Sequence, residues 1–553
     1  MLQGILSMKA KYAFLIMAFM CIATLTNAAP IDSVTAKIAA TNFFKQQFNT
    51  QPTLSLAYSE NLANGALGYY VYNVNSKNGF VIMAADDAAE PVLGYSDEGY
   101  FNATNISPEF AFWMQRYKTQ IEYIQQHHIQ ATAAIQNKWN AYKNNLAYNS
   151  NQRVQGNINP LVQTTWAQAP YYNADCPGTG ANQAVAGCVA TAMGQIMKYW
   201  NYPPHGKGSF TYNDPPYGSL SANFDTTHYY WTSMPLNVSH SNPAVASFTY
   251  DCAVGVGMAF SPSASSSYLL TTDNAVSAES AFIQYFGYDP SGIQGVYRSG
   301  YTDANWTSLV LNELSHGRPL IYAGSGSQGG HAWVCDGYQA SNGYFHMNWG
   351  WGGGYDGYFS LNNMIPDGID LNANEEVLIG LHPAPAVVDF WANYLVIWAG
   401  DTVTFTDNSF GPSPVTSRQW SLPGAAIDNS SLQNPQVVYP NAGTYNVSET
   451  VTTASGNATV TQNNYITVLE NNTVNVFPSV NQGTFTIKLQ SGSLTGSNIQ
   501  FSLYDMLGQK VYATTLVQFT TQVTVNLQHG IYFFRAFNSA GKPVSTGKIA
   551  IQQ

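Results

Sequence analysis

The stretch Gly187-Cys188-Val189-Ala190-Thr191-Ala192-Met193-Gly194-Gln195-Ile196-Met197-Lys198-Tyr199-Trp200 decides how the rest of the chain is read. Val189, Met193, Ile196, Met197 and Trp200 fall at i, i+4, i+7, i+8 and i+11, the spacing of an amphipathic helix with one buried stripe. Gly187 and Cys188 stand at its start. A thiol there feels the positive end of the helix dipole, which favours thiolate. Taken alone, Cys188 reads more readily as a packed small hydrophobe, the usual fate of a free cysteine. The segments on either side of it change that balance.

Downstream lies Gly329-Gly330-His331-Ala332-Trp333-Val334-Cys335-Asp336, where two glycines permit close backbone approach and an apolar strand holds the imidazole. His331 follows Cys188 by 143 residues, a separation seen between nucleophile and base in papain-like enzymes. A thiol beside an imidazole forms the activated nucleophile of acyl transfer. Next comes His346-Met347-Asn348-Trp349-Gly350-Trp351-Gly352-Gly353-Gly354, in which Asn348 or Trp349 is placed to fix the ring of His331. A turn with two core tryptophans is the plainer reading of that segment. Upstream, Gln168 lies 20 residues before the nucleophile. Its amide, with the Cys188 N–H, suits a developing oxyanion. Each motif is ambiguous alone; the order Gln, Cys, His, Asn-Trp is not.

Composition narrows the alternatives. Of 553 residues, 45% are hydrophobic and only 9% charged, and the net charge of −11 is spread without a Lys/Arg cluster, so nucleic acid is not an expected partner. Lys9 and Lys11 precede an apolar run from Tyr12 to Leu25, followed by the small residues Ala28 and Ala29. This is the layout of a secretory signal peptide, and the run is short of the ~20 residues that span a bilayer. No stable membrane span is expected. Cys21 leaves with the signal, and Cys176, Cys188, Cys252 and Cys335 remain, none in a CxxC pair. No metal site and no cofactor are therefore expected.

Outside the central region the patterning changes. Asp32 to Phe48 reads as a helix with Val34, Ile38, Phe43 and Phe44 near one face, and Gly68–Val74 with Gly79–Ala84 as a hairpin. Phe110 to Ala147 reads as polar and helical, and Asn144 to Asn159 as a loose processing segment. Residues beyond 384 carry short alternating strands. The expected fold class is α+β: a papain-like two-lobed protease domain with an N-terminal α+β propeptide, then two small all-β immunoglobulin-like sandwiches. The expected segments are 1–28 signal peptide, 29–155 propeptide, 156–383 protease, 384–469 first sandwich and 470–553 second.

The segments Gly187–Ala192, Gln195–Tyr199, Gly329–Ala332 and Asn348–Gly353 resemble the streptopain family of papain-fold cysteine proteases. The resemblance implies Cys188 as nucleophile, His331 as proton acceptor, Gln168 as oxyanion donor, and Asn348 or Trp349 as the ring-orienting group. It implies substrate contacts at Ser266 and Gly330, with Trp351 as a further substrate-facing side chain. Gly79–Asp87 and Pro91–Tyr95 resemble that family's propeptide, which implies an intramolecular inhibitor. Asp401–Ser409 and Tyr439–Val447 resemble a PKD-type module. Val476–Pro478, Tyr504–Val511 and Gly530–Phe533 resemble the C-terminal sorting domain of the type IX secretion route, so the secretion machinery is an expected partner and a secreted or surface-attached location is expected. The expected function is a secreted cysteine endopeptidase acting on protein or peptide substrates and made as a zymogen. The alternatives are a papain-fold amidase acting on cell-wall peptides and a catalytically inactive surface adhesin.

Overall fold

The computed structural model describes residues 29–147, 156–326, 329–362, 364, 372, 374–469, 473–490, 499–538, 541 and 543–552. The expected signal peptide and residues 148–155 of the expected processing segment lie outside them. The chain divides into one unit ending at Pro383 and another beginning at Ala384.

The first unit opens with α1 (Ser33–Phe48), capped by Asp32, whose Oδ1 accepts from the N–H groups of Val34 and Thr35 at 2.8 and 2.9 Å. The expected face is corrected here. Val34 and Ile38 are exposed, and the buried face is Ala36, Ala39, Ala40, Phe43 and Phe44. Alanines let the helix axis lie close to its neighbours, and the two phenylalanines fill the space beyond. Four strands follow: β1 (Leu54–Asn61), β2 (Leu67–Val74), β3 (Phe80–Ala84) and β4 (Val92–Ser96). β2 and β3 form the expected hairpin, with Asn75 and Ser76 at positive φ in its turn.

The helical region expected after them is divided into two helices, α2 (Pro108–Gln126) and α3 (Ala133–Lys143). The break lies at His127-His128, where His128 takes a positive φ of 52° that a continuing helix does not tolerate. Ser107 caps α2 through its side chain, and Pro108 fits the first turn, where no N–H partner is needed.

The rest of the unit holds α4 (Cys188–Trp200), β5 (Ser209–Asp214), β6 (Gly218–Asn223), α5 (Pro243–Gly255), α6 (Ala278–Gln284), β7 (Gln294–Tyr297), α7 (Asp303–Ser315), β8 (Leu320–Gly326), β9 (Gly329–Gln339), β10 (Tyr344–Asn348), β11 (Gly357–Phe359) and β12 (Glu375–Ile379). α4 is more deeply placed than a one-stripe helix. Every residue from Val189 to Met197 is buried, because β9 covers one side and α5 another.

Ten strands form one antiparallel sheet in the order β1-β2-β3-β4-β11-β10-β9-β8-β12-β7. The expected propeptide and protease regions thus share a sheet. The seam is β4 against β11, with Tyr95 opposite Tyr358 and Gly94 opposite Phe359. Gly94 is required there: a Cβ would lie 2.3 Å from the Phe359 ring. The apolar core runs across the seam, from Phe80, Tyr95 and Phe110 to Trp333, Trp349 and Phe359.

In the second unit, strands between Phe390 and Leu469 form a three-stranded and a five-stranded sheet around Phe405, Trp420 and Val447. Strands between Thr473 and Ile551 form another such pair around Phe485, Phe501 and Phe534. Alternating burial, as in Gly443–Thr453, is the period-2 signature of strands with one face in a core.

Candidate active site

Cys188 is the first residue of α4, after Gly187 at φ 91°. That φ is a backbone conformation side-chain-bearing residues rarely adopt, which is why glycine stands there. His331 sits on β9, paired to Gly324 of β8. The topology carries the imidazole to the head of α4, and Cys188 Sγ, a ring nitrogen of His331 and a carboxylate oxygen of Glu109 all lie within 4.8 Å of one another. Both Cys188 and His331 line a cleft of about 900 Å³.

Glu109 belongs to the first turn of α2, in the region expected to be propeptide, and is fully buried. Its Oε1 accepts from Gln168 Nε2 at 2.8 Å, so the amide expected to serve an oxyanion is engaged with a carboxyl. Its Oε2 has no hydrogen-bond partner. Phe112, one turn further along, has its ring centroid 6.2 Å from that of His331. The same ring fills the space over Gly324, where a Cβ would meet it at 2.5 Å.

This plug reverses the electrostatics expected of Cys188. Burial, then the nearby Glu109 charge, push the thiol up to about 12, outweighing the N–H of Ala332 on β9 and those of Val189 and Cys188 at the helix start, which favour the thiolate. Burial pushes the Glu109 carboxyl up to about 7, and burial holds the His331 ring below the ordinary imidazole range. With the plug in place, a thiolate–imidazolium pair is disfavoured at both members.

The other expected residues divide. Ser266 and Gly330 are exposed on the lining of the same cleft. Asn348 is engaged elsewhere: its Oδ1 accepts from Gln195 Nε2 at 3.0 Å and its Nδ2 donates to the Thr164 carbonyl at 2.7 Å. Its amide is thereby used to tie α4 to the Thr164 segment, and it does not hold the His331 ring. Trp349 is buried, donating to the Tyr355 carbonyl at 2.8 Å and packing against Trp333 with ring centroids 5.2 Å apart. Trp351 is placed elsewhere too. It is not among the cleft-lining residues, and its backbone pairs instead with Ala167, next to Gln168.

Asp336, expected to satisfy backbone groups, accepts from Val162 N at 2.8 Å and also pairs with His346 Nδ1 at 2.7 Å. Cys176 and Cys252, whose pairing the sequence leaves open, are both free and buried. Sequence reasoning missed Glu109 and Phe112. Ser107-Pro108-Glu109 carries only a helix-start signal, and Phe112 falls in the apolar stripe of α2.

α2 is fastened some distance from its plugging end. The Arg116 guanidinium pairs with Glu375 Oε1 at 2.8 Å and donates to the carbonyls of Ser360 and Leu361 at 3.1 and 2.6 Å. Glu375 also meets Arg298 at 3.2 Å and accepts from the Tyr322 hydroxyl.

Comparison with known proteins bears on each part. The Peptidase C10 family matches residues 166–359, the Spi protease inhibitor family residues 28–121, and the secretion system C-terminal sorting domain residues 475–552. Streptopain of Streptococcus pyogenes is 32% identical over 336 residues, covering 57% of this chain and 80% of that protein. The thiol protease/hemagglutinin PrtT of Porphyromonas gingivalis is 30% identical over 410 residues, 68% of this chain; the match spans 44% of that longer protein. A fragment of Prevotella intermedia prointerpain A superposes with a TM-score of 0.50 at 28% identity, covering 60% of this chain and 100% of the fragment. The inhibitor match includes Glu109 and Arg116, and the sorting-domain match makes the protein secreted or surface-attached. Among the described residues no helix is long and apolar enough to cross a membrane. The chain belongs to the Peptidase C10 family, the streptopain family of cysteine proteases, and is a zymogen with its inhibitor segment in front and a secretion sorting domain behind.

Proposed function

We propose that the processed enzyme hydrolyses peptide bonds in extracellular proteins, with Cys188 as nucleophile and His331 as general base and acid. The approach of Cys188 and His331 at the head of a large cleft carries this reading. Once α2 leaves, water and substrate replace Glu109. Cys188 then loses both influences that raise its thiol, and the helix-start N–H groups favour the thiolate. The thiolate attacks the scissile carbonyl. The Gln168 amide, released from Glu109, and the Cys188 N–H donate to the oxyanion. His331 protonates the leaving amine, and water hydrolyses the thioester with His331 as base.

The cleft supports a preference in substrate class. Val189, Phe210, Val256, Leu269 and Val276 line it, which suits an apolar side chain near the cut, the second position before it by family resemblance. Ser266 and Gly330, on the same lining, are proposed as backbone contacts for the extended substrate. The unit at 384–469 is proposed as a PKD-like spacer.

Casein hydrolysis by the processed enzyme tests the assignment. Cys188→Ala is expected to lower the rate by at least about a thousandfold, as loss of a covalent nucleophile does. Retention of activity in that variant would reject Cys188 as nucleophile.

A further inference from the structure

Resting on the protease reading above, we infer that the closed zymogen is also a metal site, in which Cys188, His331 and Glu109 bind one divalent cation of the zinc class. Three observations carry this. First, one donor atom from each residue lies within 4.8 Å of the other two. Tetrahedral zinc with bonds of about 2.0–2.3 Å to S, N and O holds its donors roughly 3.3–3.7 Å apart, so the set needs to contract by about 1 Å.

Second, Glu109 is fully buried and its Oε2 has no hydrogen-bond partner, an unsatisfied acceptor on the carboxylate that meets Cys188 and His331. Buried acceptors are nearly always paired, and among the unpaired carboxylate oxygens, which include Glu375 Oε1 and both of Glu449, the one on Glu109 belongs to a residue that meets a thiol and an imidazole. Its other oxygen is held by Gln168 at 2.8 Å, the kind of outer hydrogen bond that orients a ligating carboxylate.

Third, no Lys or Arg pairs with Glu109 among the described residues, so with His331 neutral, as a metal ligand must be, a thiolate and a carboxylate there would carry two uncompensated charges. A dication neutralises both. The S, N and O donors suit a borderline-soft ion, whereas calcium and magnesium require six or more oxygens.

Binding exchanges the Cys188 S–H bond for a sulfur–metal bond and releases the proton to solvent. The sulfur is then unavailable for attack. When the inhibitor segment departs it takes Glu109 with it, leaving two protein ligands, so maturation lowers metal affinity and frees the nucleophile together. No two of these ligands are near neighbours in sequence, so a search for CxxC pairs passes them by.

The test uses the full-length zymogen, stripped with a chelator, its intact mass confirmed, and titrated with Co²⁺ as spectroscopic probe and Zn²⁺ as competitor. One Co²⁺ per chain is expected, with a thiolate-to-metal absorption that Zn²⁺ removes and that Cys188→Ala lacks. Glu109→Gln, which can still accept from Gln168, is expected to weaken binding at least about tenfold, as is conversion of the same batch to processed enzyme. Absence of the thiolate absorption overturns the inference. So does equal affinity in zymogen and processed enzyme, an arm that decides the matter even where Glu109→Gln fails to fold. Casein hydrolysis by the same processed sample is read separately: its absence rejects the protease reading, whatever the metal result.

Discussion

Two carboxyls on or under α2 are buried to a similar degree and are treated in opposite ways. Glu375 has a cation on each side, Arg116 from the inhibitor segment and Arg298 from the protease, and a tyrosine hydroxyl besides. Glu109 has no cation and one amide donor; each carboxyl keeps one oxygen without a hydrogen-bond partner, Glu109 Oε2 and Glu375 Oε1, and only the Glu375 oxygen is met by a cation, Arg116. The Glu375 region is a fastening, in which removing any one partner leaves a buried charge exposed to its loss. The Glu109 region is a plug, held in an environment it does not satisfy. An inhibitor segment secured at Arg116 and uneasy at Glu109 is closed by its fastening and disposed to leave the catalytic cleft once that fastening is cut.

The largest effect belongs to the fastening. Arg116→Met is expected to cost about 3–5 kcal/mol of zymogen stability, because half of the Glu375 compensation disappears in a buried setting. Thermal unfolding and the onset of casein hydrolysis in fresh zymogen check this; an unchanged melting temperature would remove the contrast between the two regions. Gly94→Val attacks a second join of the inhibitor segment to the protease, the β4–β11 seam, and is expected to cost about 2–3 kcal/mol, since the added carbon collides with Phe359.

A third buried carboxyl sharpens the comparison from outside the catalytic unit. Glu449 has both oxygens unsatisfied, and burial, then the Asp407 charge, push it up to about 8. A carboxyl raised on folding binds its proton more tightly in the folded state. Its contribution is therefore fully present below the unfolded value near 4.5 and is lost as pH rises towards 8. Calorimetry of the full chain is expected to show Glu449→Gln raising one thermal transition at pH 8, by about 1–3 kcal/mol, and leaving it unmoved near pH 4. Equal effects at both pH values would contradict the assignment. The smallest effect is at Phe112, half-buried over His331: Phe112→Ala is expected to weaken the closed state by about 1–2 kcal/mol and to speed thiol labelling in the zymogen correspondingly.

The sequence made α4, Cys188, His331 and Gln168 legible because each stands in a long local motif. The β2–β3 hairpin and the C-terminal strands were legible through turn residues and period-2 alternation. What stayed hidden depends on contacts between distant segments. Asn348 has the residue type of a ring-orienting amide, yet Gln195 and Thr164 claim it, and only the packed structure shows that competition. Val34 and Ile38 looked like a core face until the alanines of α1 were seen against its neighbours. Glu109 sits in a helix N-terminal turn, where acidic residues are ordinary, so its meeting with Cys188 and His331 left no local trace.

Alkylation of Cys188 by iodoacetamide tests the plugged-nucleophile account most directly, with the modified residue located by mass spectrometry in zymogen and processed enzyme at one pH near 7. A thiol pushed up to about 12 in the zymogen is expected to react at least about a hundredfold more slowly than the processed one. Equal labelling of Cys188 in the two forms would mean that α2 neither covers nor silences the nucleophile.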